Sequence, residues 1–89
     1  MVREHFICHG RVQNCGFRSK ACQVARGLLL TGYVKNNYDG TVEMEIQGDG
    51  GQIARFWRLL TDDPYIRIED TESHSMPLKN DELGFSVRY

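Results

Sequence analysis

From Val42 to Gln47 the chain alternates without a break, with Val42, Met44 and Ile46 on one side and Glu43, Glu45 and Gln47 on the other. A period of two is the period of a strand, and this pattern predicts a sheet with one buried and one wet face. An apolar sheet face has to be covered, and two segments of helical period can cover it. Phe17, Ala21, Val24, Ala25 and Leu28 recur at helical spacing, as do Ile53, Phe56, Trp57 and Leu60. Trp57 and Phe56 therefore read as core.

Four further strands fit around these elements. The first runs from about Arg3 to His9, with Phe6 and Cys8 on one face and His5, Ile7 and His9 on the other. Another covers roughly Leu30 to Asn37. A fourth begins at Ile66 and Ile68 and reaches about Ser75, and Phe85, Val87 and Tyr89 alternate in a short last strand. The punctuation agrees. Gly27 reads as a helix stop, Asp39-Gly40 as the positive-φ pair of a tight hairpin, Asp49 with Gln52 as a capping box, and Asp62-Asp63-Pro64 as the end of the second helix. The order β-α-β-β-α-β plus a short C-terminal strand predicts an α+β fold of the ferredoxin-like, split βαβ kind. Two helices should lie on one face of an antiparallel sheet. With 89 residues the chain is expected to be one domain, residues 1–89. This plan hosts many unrelated activities, so function has to be read from a site.

Eleven basic and twelve acidic residues give a formal net charge of −1, which argues against the broad basic surface of a nucleic-acid protein. It leaves room for a small anion site. No apolar run is long enough to cross a bilayer, and MVREHF lacks a signal-peptide pattern, so no membrane partner and a cytoplasmic location are expected. Cys8, Cys15 and Cys22 are odd in number and lack CxxC spacing, which reads as free thiols in a reducing compartment. A zinc site built from His5, His9 and a cysteine is conceivable, but alternation turns Cys8 to the opposite face. The histidines, His74 included, read as surface residues. No metal and no other cofactor is expected.

The segment that can carry chemistry is Gly10-Arg11-Val12-Gln13-Asn14-Cys15-Gly16-Phe17-Arg18, where a strand gives way to a helix. Loop amides at such a junction converge with the helix's unpaired N–H groups, and the helix dipole there favours an anion. Gly10, Asn14 and Gly16 tolerate positive φ and let the backbone curve into a nest. Arg18 adds a planar fork of donors suited to two phosphate oxygens. A plain glycine-containing turn followed by a solvated arginine fits the same spacing. Two familiar phosphate machines do not fit. A Walker loop ends in Gly-Lys-Ser/Thr, whereas this one ends in Gly16-Phe17-Arg18. A cysteine-dependent phosphatase places its nucleophile six positions before the arginine, and that position is Val12.

Gly10 to Arg18 resembles the acylphosphatase signature G-x-V-Q-G-V-G-F-R. Gly32-Tyr33-Val34-Lys35-Asn36-Asn37-Tyr38-Asp39-Gly40-Thr41-Val42-Glu43 is similar to that family's second signature, G-[WY]-V-[RK]-N-x-x-D-G-x-V-E. The closing Phe85-Ser86-Val87-Arg88-Tyr89 is similar to the family's last strand, so the resemblance spans essentially the whole chain. It implies a metal-free hydrolase of small acyl phosphates. Arg18 and the amides of Gln13, Asn14, Cys15, Gly16, Phe17 and Arg18 would bind the phosphoryl group, and Asn36 would orient the attacking water. Asparagine is no base at neutral pH, but it can accept from and position a water. Phosphoryl transfer then becomes positioning plus charge stabilisation. Inorganic phosphate or sulfate is the expected inhibitor, and nothing demands more than a monomer.

Three positions depart from the pattern. Asn14 replaces a glycine, Cys15 a valine, and Ser19 stands where an aromatic is common. Asn tolerates positive φ and Cys matches valine in size, so the loop can keep its shape. Three rival readings follow. An RNA-binding sheet would need exposed aromatics where Glu43 and Glu45 stand. A carbamoyl phosphate-handling domain of a larger protein is disfavoured because the chain stops at Tyr89. The last is a silent paralogue that only binds an anion.

Overall fold

A computed structural model describes residues 1–89 and contains five strands and two helices. They are β1 (Val2–Arg11), α1 (Phe17–Gly27), β2 (Thr31–Asn36), β3 (Val42–Gly48), α2 (Gly50–Thr61), β4 (Arg67–Met76) and β5 (Phe85–Arg88). The strands form one sheet in the order β4-β1-β3-β2-β5. This is the expected ferredoxin-like α+β plan. One pairing corrects the antiparallel expectation. β1 with β3, β1 with β4 and β2 with β3 are antiparallel, but β2 and β5 are parallel. The reason is topological. β4 sits at the far edge, and β5 turns back from it to the opposite edge, where it meets β2 running the same way.

The alternating apolar residues do what their period requires. Phe6, Cys8, Val34, Met44 and Ile46 of the sheet meet Phe17, Ala21 and Ala25 of α1 and Ile53, Phe56 and Leu60 of α2 in one buried cluster. Burying each large side chain in such a cluster contributes about 1.5–3 kcal/mol. Burial pushes the Cys8 thiol up to about 12, so it stays protonated and packs as a small apolar group.

The other face of the sheet is not simply wet, which corrects the expectation for Glu45 and Gln47. Both are buried, and Arg3 is only 1 % exposed. Residues 77–84 cross this face, bringing Glu82 and the Lys79 backbone over it. Arg3 donates Nε to Glu45 at 2.9 Å, Nη1 to Gln47 at 3.1 Å, and forks onto Glu82 at 2.8 and 3.1 Å. Gln47 accepts from the Lys79 N–H and donates to its carbonyl. Charges can be buried here because they satisfy one another. Of the histidines, His74 is exposed as expected, while His5 is more enclosed than a surface residue. Register sets His5 opposite His74, where their rings stack at 4.9 Å, and both His5 and His9 are half-buried.

One turn reading is corrected. Only Gly40 takes a positive φ in the β2–β3 hairpin; Asp39 instead accepts from the N–H and hydroxyl of Thr41. α1 ends at Gly27 as expected, but Gly27 does not take the left-handed conformation. Leu29 does so, at φ 57, and the Leu29 and Leu30 N–H groups return to Arg26 and Ala25. These are the bonds of a Schellman closure, usually built on glycine.

Candidate active site

The loop from Val12 to Gly16 is pinned at both ends by burial, with Val12 at the β1 side and Phe17 opening α1. Between them the chain has to double back. It does so at Asn14 and Gly16, with φ values of 60 and 84 as anticipated from residue type, while Gly10, at φ 121, lies at a register shift within β1. Gly10 is further constrained, since a Cβ there would come within 2.4 Å of the Arg67 carbonyl. Asn14 keeps its left-handed conformation, so its departure from glycine leaves the loop shape intact.

Gly16 is the N-cap of α1 and offers no side chain to the helix end. The first main-chain helical bond is Lys20 N–H to the Gly16 carbonyl. The first-turn N–H groups before it lack a capping side chain, and together with the dipole they favour a negative ligand.

Asn36 reaches this place from the end of β2, where it pairs with Val42. The hairpin beyond it is tightly held. Asn37 donates its side-chain amide to the Thr41 hydroxyl, and Thr41 donates to Asp39. The Thr41 hydroxyl and N–H hold the Asp39 carboxyl below its ordinary range. Gln13 ties loop to hairpin, its Nε2 donating to the carbonyls of Asn37 at 2.8 Å and Thr41 at 2.9 Å.

A hollow of about 110 Å³ results, lined by Asn14, Gly16, Phe17, Arg18, Ser19 and Asn36 among others. Asn36 Oδ1 is buried with no protein partner. A cleft of about 520 Å³ adjoins it and shares Arg18 and Asn36. Arg18 makes no ion pair, and its guanidinium carbon sits 5.3 Å from the centre of the Tyr89 ring. No carboxylate, imidazole or thiol side chain lines either cavity. The arrangement is rich in donors, and it suits an oxyanion.

Arg18 and Asn36, the two residues singled out for catalysis, are thus brought together. Of the phosphate-loop residues, Asn14, Gly16 and Phe17 line the hollow. The Phe17 ring is in the core, so only its main chain can serve there. Gln13 lines the larger cleft, with its side chain committed to the hairpin. Cys15 lines neither cavity; its thiol donates to the Arg11 carbonyl at 3.5 Å and packs on the core. Reading the sequence missed Ser19 and Tyr89 as site residues. Ser19 could have been found from its place in the first turn of α1. Tyr89 could not, because it arrives through the parallel β2–β5 pairing.

Fold and site together define a small α+β domain with a donor-rich cavity, suited to an oxyanion, at a strand–helix junction. Comparison with known proteins makes this more specific. The family model described as Acylphosphatase matches residues 4–87. An acylphosphatase of Picrophilus torridus is 44% identical over 84 residues, covering 94% of this chain and 99% of that protein. The crystal structure of acylphosphatase from Bacillus subtilis superposes with a TM-score of 0.90 at 29% identity, with 100% of each chain covered. T. kodakarensis HypF matches with a TM-score of 0.84 and 30% identity, over 100% of this chain and 12% of that one. The chain belongs to the acylphosphatase family. It is accordingly a hydrolase of the carboxyl–phosphate bond of acyl phosphates.

Proposed function

We propose that Arg18 and the main-chain N–H groups from Gln13 to Arg18 hold the phosphoryl group, while Asn36 orients the water that attacks phosphorus. The observation that carries this reading is that Asn36, whose Oδ1 is buried without a protein partner, lines the same hollow as Arg18. Burying a carbonyl oxygen without a partner costs about 1–3 kcal/mol, so a ligand that donates to it is favoured there. A water donating to Oδ1 presents a lone pair to phosphorus. Bond formation to that oxygen accompanies loss of the carboxylate, a good leaving group that needs little help from an acid. With no carboxylate or imidazole side chain lining the cavities, the water's proton passes to a phosphoryl oxygen of the substrate. Arg18 and the amides stabilise the charge on the equatorial oxygens.

The same reading makes inorganic phosphate or sulfate a competitive inhibitor. It takes residues 1–89 as one acylphosphatase-like domain acting as a monomer, without metal. Free thiols at Cys8, Cys15 and Cys22 accord with a cytoplasmic location. No helix is long and apolar enough to cross a membrane.

The test is hydrolysis of benzoyl phosphate without added metal. Arg18→Ala and Asn36→Ala each lower kcat/KM at least about a hundredfold, as loss of one transition-state donor does. A chelator leaves the wild-type rate unaltered. Full activity in Asn36→Ala would remove its role. A folded wild type that binds phosphate but turns nothing over would favour the anion-binding reading.

A further inference from the structure

We propose that the cleft beside the phosphate hollow seats the acyl group and selects acyl groups that carry a second negative charge. This rests on the assignment of Arg18 and Asn36 to the phosphoryl end. Because those two residues line both cavities, a phosphoryl group held by Arg18 directs the remainder of an acyl phosphate into the larger cleft.

The walls of that cleft carry three cations, Arg18, Lys35 and Arg88, and no acidic side chain. None of the three makes an ion pair, for the four ion pairs of the molecule belong to Arg3, His5 and His9. Lys35 and Arg88 are direct partners in the parallel β2–β5 ladder, so their charges are presented side by side. Arg88 is positioned without a carboxylate. Its guanidinium carbon sits over the Tyr33 ring, 3.9 Å from the centre, and the Tyr33 hydroxyl is fixed by donating to Glu43 and Glu45. A cation held by an aromatic face keeps its donors and its charge for something else. Glu43 faces Lys35 across the β2–β3 ladder but makes no ion pair with it, being engaged by Tyr33. With Arg18 committed to phosphate, Lys35 and Arg88 remain as two cations without an ion pair at the acyl end, Lys35 feeling Glu43 only at longer range. A terminal carboxylate or phosphate on the acyl chain matches them.

The experiment compares kcat/KM for succinyl phosphate and butyryl phosphate, whose four-carbon acyl chains differ in a terminal carboxylate. The ratio of the two cancels whatever a variant does to the phosphoryl end or to the folded fraction. Wild type prefers succinyl phosphate, and raising ionic strength lowers the ratio because the pairing is partly exposed. Lys35→Gln and Arg88→Gln each lower the ratio about fivefold, the scale of one exposed charge pair. A wild-type ratio of one or less, or a ratio indifferent to both salt and substitution, overturns the charged subsite while leaving the hydrolase intact. Failure to hydrolyse either acyl phosphate overturns the phosphoryl-end assignment and the subsite with it.

Discussion

The side-chain amide of Gln13 donates to the carbonyl of Asn37, the residue next to Asn36, at 2.8 Å. That bond joins the loop proposed to bind phosphate to the hairpin proposed to hold the water. Its partner bond to Thr41 makes the connection two-pronged. Loop and hairpin come from distant parts of the chain, and their relative placement sets the distance between Arg18 and Asn36.

Gln13→Ala removes both prongs. Two such bonds are worth about 1 kcal/mol each in stability. The kinetic cost is expected in kcat, which falls roughly tenfold or more because small misplacements of a positioning group are expensive. Steady-state kinetics with benzoyl phosphate, alongside a melting curve, checks this. A variant with lower Tm but undiminished kcat would mean that the bonds serve stability alone.

Arg3 predicts a reversal of pH behaviour. Burial would raise the Glu45 and Glu82 carboxyls, but hydrogen bonds from Arg3, joined at Glu45 by one from Tyr33, outweigh it and hold both below the ordinary range. A carboxyl held below its unfolded value adds stability above that value, and the gain is lost as pH falls through the folded one. Wild type therefore loses this contribution on acidification below the ordinary carboxylate range. Arg3→Met leaves the buried Glu45 and the half-buried Glu82 carboxylates without their cation, at a cost of about 3 kcal/mol at neutral pH. Protonation relieves them, so the deficit shrinks as pH falls. Urea unfolding of both proteins at neutral and mildly acidic pH measures it, and a deficit that grows in acid would contradict the account.

Leu29 closes α1 in a conformation that costs an ordinary residue about 1 kcal/mol, yet its side chain is 89% exposed and secures little in return. Leu29→Gly removes the strain and raises Tm by about 5 °C, allowing for the entropy glycine adds to the unfolded chain. Calorimetry decides it. A fall in Tm would show that the Leu29 side chain has value where it stands.

Much of this was legible in the sequence because the relevant forces are local. Alternation in Val42–Gln47 and the helical stripes of Phe17–Leu28 and Ile53–Leu60 depend only on near neighbours, and so does the need for positive φ at Gly10, Asn14 and Gly16. What escaped depends on residues far apart. Glu45 and Gln47 look like solvent-facing positions until the 77–84 segment crosses them and Arg3 joins them. The Gln13 bonds and the Arg18–Tyr89 stack require the finished sheet. Gly27 marks the end of α1 as its residue type suggests, but the left-handed closure falls on Leu29, which residue type does not announce.

The position of β1 in the sheet has a consequence for how the molecule comes into being. The first strand made lies between β3 and β4, and Arg3 finds its β4 neighbour only at Met76. A ribosome must therefore release most of the chain before the earliest strand acquires its second neighbour. Long-range pairing of this kind delays folding, since distant segments must be gathered before contacts reward them. Until β4 docks, one edge of β1 stays open, and the nascent protein is at its most vulnerable to association with its own kind.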